Sequence, residues 1–295
     1  SGFCYFKISH LKRSVMMKEK SKKNIFVLVG LIVLVVMVFA GGYWYTQFKV
    51  PHYKAVSKFN SAQQTVQLEN EKLDDAILSA QEILNSNKTP YDSNVFTELQ
   101  TTISSARESK RSVPTLPEKT DEIIEITEKL NEPLDYSEAI AGLGMRKLEA
   151  ENSIKQYDQI LNPTGDFVVL RLNDVPSIQE IQSVTEENDP NGQLNKQGGY
   201  TSAIFFSSVN VNQNYLIGNS VIEKGTIAGG SIEVYNTIED AEARNNYLSA
   251  FDGGFLSAGS HNIVGTVVVR TSDELTATQQ KDLESEIVNK LVELR

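Results

Sequence analysis

Ile25-Phe-Val-Leu-Val-Gly-Leu-Ile-Val-Leu-Val-Val-Met-Val-Phe-Ala40 carries no charge and almost no polarity. With Gly41-Gly42 and the Tyr43-Trp44-Tyr45 cluster it reaches roughly 20 residues, enough at ~1.5 Å rise per residue to cross a hydrocarbon core ~30 Å thick. The stretch predicts a transmembrane helix over residues 25–45. Lys22 and Lys23 stand directly before it, and Tyr43, Trp44 and Tyr45 stand where amphipathic rings favour the headgroup layer, so these five are the expected interface anchors. The positive-inside rule then makes residues 1–24 a cytoplasmic basic tail and puts everything after about Thr46 outside the cell membrane. Two other readings compete. Val38-Phe39-Ala40 followed by Gly41 suits a signal-peptidase site, and an apolar helix also suits a buried core, although no polar face interrupts this one. Both the anchor and the signal readings export the rest of the chain.

Outward from that run the charge divides unevenly. Seven of the 28 basic residues and one of the 38 acidic residues precede it, which leaves 21 basic against 37 acidic beyond it, a net charge of −16. Such a field repels nucleic acid and anionic polymers, so no nucleic-acid partner is expected. The single cysteine, Cys4, lies on the cytoplasmic side, so the exported part holds together by packing without disulfides. No Cys follows the apolar run, which closes the lipoprotein route. Met16 or Met17 is a candidate natural start.

Residues 46–162 read as an all-α antiparallel stalk or bundle. Val56, Phe59, Val66, Leu73, Ile77, Ala80 and Leu84 alternate at three and four, with Gln63 and Asn70 as polar members of the same seam. Polar seam residues fix register at a cost in stability. A helix burying Phe96, Leu99, Ile103 and Ala106 follows Thr89-Pro90, and Pro114 and Pro117 break the chain after it. Two further helices carry Ile123, Ile124, Ile126 and Leu130, then Ile140, Leu143, Ala150, Ile154, Tyr157 and Leu161. Short connections between them imply antiparallel neighbours.

Residues 163–295 change to an α+β pattern, expected as a sheet covered by helices on one face. Phe167–Leu172, Thr201–Phe206, Ser231–Tyr235 and Asn262–Arg270 read as strands. Ser177-Ile-Gln-Glu180 reads as a capping box opening a short helix, a helix runs from Ile238 to about Phe251, and Thr276-Ala-Thr-Gln279 caps the last one.

Two resemblances attach to these segments. Leu73-Asp-Asp-Ala-Ile-Leu-Ser-Ala80 with Tyr91-Asp-Ser-Asn-Val-Phe-Thr-Glu-Leu-Gln-Thr-Thr-Ile-Ser-Ser-Ala106 resembles the FIVAR-type helical module of bacterial surface proteins, over roughly Leu73 to Leu130. Asp189–Tyr200, Ile222–Gly225, Gly229–Tyr235 and Gly259–Ser272 resemble the C-terminal domain of EbhA-like membrane-tethered proteins of Firmicutes. The resemblance implies a spacer or adhesion unit on a Gram-positive surface, with no catalytic residue.

Chemistry is sparse. His261 is the one histidine of the α+β region; a Ser-His-Asp site has no G-x-S-x-G elbow to use, and Ser260 beside it points to the opposite face of a strand. His261 therefore reads as a polar residue at a strand entrance. His52 and His261 fall short of a zinc ligand set. Glu186, Glu187, Asp189 and Asn191-Gly192 imitate a calcium loop, but Gly198 stands where the terminal bidentate Glu belongs, so Asp-Pro-Asn-Gly reads as a turn. No catalytic, cofactor or metal residue is assigned and no cofactor is expected. The glycine pairs 198–199, 229–230 and 253–254 mark turns, and the connections 207–230 and 253–260 form an expected ligand rim with Tyr200, Tyr215, Tyr235 and Phe255 as first contacts. The function expected is a single-pass membrane protein, non-catalytic, presenting an α+β domain to a ligand or protein of the surface or envelope. The alternatives are an envelope hydrolase or transferase using a carboxylate pair such as Asp174 and Glu233, and a subunit of a membrane assembly.

Overall fold

The computed structural model describes residues 3–252 and 259–295, with side chains from Asn24 onward. The chain divides into two units interleaved along the sequence, residues 1–74 with 109–136 and residues 75–108 with 137–295.

The first unit opens with α1 (Phe3–Trp44), a five-residue π-helical turn (Tyr45–Lys49) and the start of α2 (Val50–Leu84). Pro51 explains the turn. A proline has no N–H to give and its ring crowds the carbonyl four residues back; widening the register lets Val50 N–H bond Tyr45 O instead, and helical backbone continues into α2. Ala55, Phe59, Ala62 and Val66 of α2 pack on Ile123 and Leu130 of α4 (Thr120–Leu130), while Ile124 stays exposed.

The polar seam residues find backbone partners. Gln63 Nε2 donates to Pro114 O at 3.1 Å and Asn70 Nδ2 to Arg111 O at 2.9 Å, so residues 110–119 run as an extended strap antiparallel to α2. His52 meets Thr120 at 3.0 Å, and the Tyr136 hydroxyl donates to Asn70 Oδ1 at 2.9 Å, which sets α4 parallel to α2. This corrects the expectation of antiparallel neighbours throughout: the strap, held extended around two prolines, makes the reversal before α4 begins.

In the second unit the end of α2, α3 (Asn94–Ser109) and α5 (Ser137–Gln159) lie side by side. Arg107 donates to Gln81 and Arg146 to Glu98, and Tyr91 N–H bonds Ser153 O, so α3 is antiparallel to both partners. Leu99, Ile103 and Ala106 of α3 and Leu143, Ala150 and Ile154 of α5 are buried. Ile160, just past α5, enters the core of the sheet, so the boundary expected between residues 162 and 163 falls inside this unit.

The sheet has five antiparallel strands in the order β1-β2-β3-β5-β4: β1 (Ile178–Ser183), β2 (Tyr200–Ser208), β3 (Gly229–Tyr235), β4 (His261–Val264) and β5 (Val267–Thr271). One face, with Ile204, Phe206, Ile232, Val234, Val267 and Val269, packs on α6 (Gly165–Leu172), α9 (Ala277–Val292) and Ile160. The other, with Ala203, Phe205, Tyr235 and Val268, is covered by α7 (Val221–Lys224) and α8 (Ile238–Ser249). The expectation of helices on one face is therefore corrected to helices on both. The central strands are buried residue after residue, as strands covered twice must be.

Three local readings change as well. Phe167–Leu172 is helical, because the Thr164 hydroxyl caps Phe167 N–H at 3.2 Å and Val168 and Leu172, four apart, both reach the core. Ser177–Glu180 belongs to a strand edge. The Ser177 hydroxyl bonds Glu286 instead of a helix N–H, and a bulge between Ile178 and Ile181 lets residues three apart share a face, which imitates helical spacing. Asn262–Arg270 is two strands joined at Gly265-Thr266. Gly265 has φ +60°, and a Cβ there would lie 2.4 Å from Ile160 O, which accepts the Thr266 N–H at 2.9 Å.

Candidate functional site

β3 places Glu233 on the face covered by α8, between two residues, Ile232 and Val234, that point into the opposite core. The side chain is 1 % exposed. Arg244, two turns into α8, forks it: Nε donates to Oε2 at 2.7 Å and Nη2 to Oε1 at 2.9 Å. Arg270, on the neighbouring β5, donates from Nη1 to Oε1 at 3.1 Å, and the Tyr235 hydroxyl donates to Oε2 at 2.9 Å. Both oxygens thus accept two hydrogen bonds, which fills the lone-pair capacity of the carboxylate. Burial pushes Glu233 up, but the Arg244 hydrogen bond and charge, with Arg270 and Tyr235, hold it below the ordinary carboxylate value. Burial and the Glu233 charge push the Tyr235 hydroxyl well above its ordinary range. The arrangement keeps an ionised acid inside the fold with no lone pair left over for a substrate.

Beside this network lies a groove. One end is a cavity of about 290 Å³ bordered by Asn191, Arg244, Tyr247, Phe251, Asp252, His261 and Arg270; the other, about 390 Å³, shares Asn191, Arg244 and Tyr247 and continues to Gln193, Tyr200, Tyr235 and Asp240. His261 bonds Asn245 Oδ1 through Nδ1 at 2.7 Å and lies 3.2 Å from both Asp252 oxygens through Nε2. Ser260 Oγ pairs with Thr271 Oγ1 at 2.6 Å rather than with the imidazole. Arg244 stacks over Tyr247 at 5.6 Å, and Tyr247 meets Phe251 edge to face at 5.2 Å.

The floor at the far end is a turn. Asp189 accepts the N–H groups of Asn191, Gln193 and Leu194 at 3.0, 2.6 and 2.8 Å and the Tyr200 hydroxyl as well. Burial raises Asp189, and these donors overcome it, so its pKa lies below the usual carboxylate range. Its oxygens are committed to three backbone N–H groups and the Tyr200 hydroxyl, and Gly192 N–H bonds Asp189 O at 3.3 Å in the turn that Asp-Pro-Asn-Gly predicts. Among the described residues no three His, Cys, Asp or Glu side chains converge as a metal site would require.

The expected rim does not form as one surface. Tyr200 and Tyr235 are buried, pack edge to face at 6.4 Å and border the groove from below its surface, with their hydroxyls bonded to Asp189 and Glu233. Tyr215 is 84 % exposed beyond the opposite end of β2, where a 3₁₀ turn (Gln213–Tyr215) ends beside Ile217, 92 % exposed. Phe255 and the Gly253-Gly254 pair lie outside the described residues. Asp174 and Glu233 are not a pair either: Asp174 follows α6 on one side of the sheet and bonds Arg295, while Glu233 faces α8 on the other.

At the N-terminal end, the backbone at Lys22 and Lys23 is helical, Tyr43 and Trp44 close α1, and Tyr45 opens the π turn. Lys49 Nζ stands 5.5 Å over the Trp44 ring. Among the described residues one helix, continuous over Asn24–Leu84, is long and apolar enough to cross a membrane, with mean hydropathy 3.0 in its most apolar stretch and nothing packed on that stretch. Such a helix is compatible with a membrane span or a signal sequence.

Arg244, Arg270, Tyr247 and Asp252 escaped the sequence reading. The available signal was a lone acid inside the apolar strand Ser-Ile-Glu-Val-Tyr and a lone base ending Val-Val-Val-Arg. Charges at such positions need partners.

An antiparallel sheet between two helical layers, preceded by paired helices and an apolar N-terminal helix, defines an α+β protein with a helical N-terminal region. No family model, no curated protein and no solved structure matches the chain.

Proposed function

We propose that this is a single-pass membrane protein with its N-terminus in the cytoplasm, whose exported α+β domain binds a ligand in the groove beside Arg244 and Arg270. The observation that carries the reading is the unpacked apolar helix: side chains from Ile25 to Phe39 are exposed around its whole circumference, an arrangement that lipid stabilises and water does not. The basic residues before it and the aromatic cluster after it support the orientation. The helix also runs unbroken through Ala40-Gly41, the bond a signal peptidase would cut, which favours a retained anchor. The helical region between anchor and sheet acts as a FIVAR-type spacer in this reading. The groove supports binding rather than turnover, because its buried carboxylate has all four acceptor positions filled.

The test is labelling in intact cells. With Cys4→Ser and Lys290→Cys in the full chain, a membrane-impermeant maleimide labels the protein without lysis. Labelling only after lysis, or recovery of the chain in the soluble fraction, would overturn the proposal.

A further inference from the structure

We propose that the cavity of about 290 Å³ beside the Glu233 network binds a carboxylate monoanion carrying a small apolar group. The inference rests on the binding-domain reading and names its ligand chemistry. Two guanidinium groups converge on one carboxylate, so the cluster holds one positive charge in excess. Glu233 itself is sealed, but Arg244 and Arg270 keep 19 and 10 % of their side-chain surface open, and both border the cavity. Among the described residues, Arg244 Nη1 and Arg270 Nε and Nη2 have no acceptor. These are the planar donors that recognise a carboxylate through two bonds at once. Glu233 fixes both forks in place before any ligand arrives, which lowers the ordering cost of binding.

The charge of the ligand follows from the rim. Asp252 stands at the cavity paired with His261, and its own negative charge opposes a dianion such as phosphate. The excess positive charge belongs to the Glu233 cluster alone, and Asp252 at the rim offsets it, so a second charge on the ligand is opposed more strongly than the first. Tyr247, Leu248 and Phe251 form an apolar wall along the same cavity, so an alkyl group next to the carboxylate has a surface to cover.

Isothermal titration of the full chain in detergent micelles with isovalerate, its neutral amide and inorganic phosphate tests this. Isovalerate binds saturably, the amide does not, and phosphate binds more weakly than the acid. Arg270→Gln lowers isovalerate affinity by roughly tenfold or more, the expected loss of a charge-assisted contact. Tyr247→Ala, at an exposed position, weakens it by several fold, and Asp252→Asn strengthens it. Equal binding of acid and amide, tighter binding of phosphate, no saturable heat with isovalerate, or wild-type affinity in both Tyr247→Ala and Asp252→Asn would overturn the assignment. The last two variants keep the test decisive should Arg270→Gln unfold. Isovalerate binding in a chain whose residue 290 labels only after lysis would support the pocket and sink the surface reading; the reverse result would sink the pocket alone.

Discussion

Arg244 grips both carboxylate oxygens of Glu233 from across the α8–sheet interface, at 2.7 and 2.9 Å, and makes that interface depend on one buried charge. Glu233→Gln removes the charge while keeping the shape, and leaves two guanidinium groups facing a neutral amide. Breaking a buried ion pair from one side costs about 3–5 kcal/mol. Urea denaturation followed by far-UV circular dichroism should show a loss in that range, and a loss below about 1 kcal/mol would place the network among weak surface pairs.

The same network shapes the pH dependence of stability. Glu233 titrates below its ordinary 4.5 in the folded chain, so its stabilisation is complete above that value and is lost as pH falls through the folded one. Tyr235 titrates above its ordinary 10.0, so its contribution is complete below pH 10.0 and is lost as pH rises beyond it. Melting temperature against pH should therefore fall at both extremes. Glu233→Gln shrinks the acid limb, with Asp189 retaining part of it, and Tyr235→Phe shrinks the alkaline limb.

Tyr136 closes a small circuit in the first unit. Its hydroxyl accepts Arg111 N–H at 2.6 Å and donates to Asn70 Oδ1, while Asn70 Nδ2 returns to Arg111 O. Tyr136→Phe leaves the Arg111 N–H and the buried Asn70 amide oxygen unpartnered, at a cost of about 1–3 kcal/mol. Asn70→Ala removes the centre of the same circuit, so the double variant should cost less than the two single losses added together, by double-mutant cycle.

Asn70 and Gln63 were legible as seam positions because helical spacing names the buried face whatever residue occupies it. Their partners were not, since Arg111 and Pro114 lie in an extended strap with no periodicity of its own. The α+β region shows the same division. Strands with clean alternation and flanking turns, such as Ser231–Tyr235, stand where expected, and so does the capping box at Thr276. Phe167–Leu172 and Ser177–Glu180 exchanged identities because a short apolar run has no decisive period and a bulge imitates one. The helix expected from Ile238 stands as α8, but its place on the second face was hidden, as was α7 altogether, because their few apolar residues, Val221, Ile222, Ala241 and Leu248, carry no strong stripe. The groove followed from that layer, so Glu233 was visible as an acid while Arg244 and Arg270 stayed unseen as its partners.

The capping box at the start of α9 is a local test of that legibility. Thr276 Oγ1 accepts Gln279 N–H at 3.3 Å and Gln279 Oε1 accepts Thr276 N–H at 2.9 Å. Thr276→Ala should cost about 1 kcal/mol, and Thr276→Ser should recover most of it, as measured by urea denaturation.

The apolar helix admits a quantitative test by charge. Sixteen mostly Leu, Ile, Val and Phe positions at about −0.3 to −0.6 kcal/mol each favour insertion by roughly 6 kcal/mol, and one central Arg costs about 3. Leu31→Arg alone therefore leaves insertion favourable, and the variant should stay in the membrane fraction. Leu31→Arg with Leu34→Arg brings the sum close to zero, so a large share of the chain should leave that fraction. A helix that merely stands in water predicts the opposite, because replacing exposed leucines with arginine raises solubility without moving the protein. Carbonate extraction of cells carrying the wild type, the single and the double variant separates the two: a graded loss of membrane retention supports the span, and identical fractionation of all three would remove it.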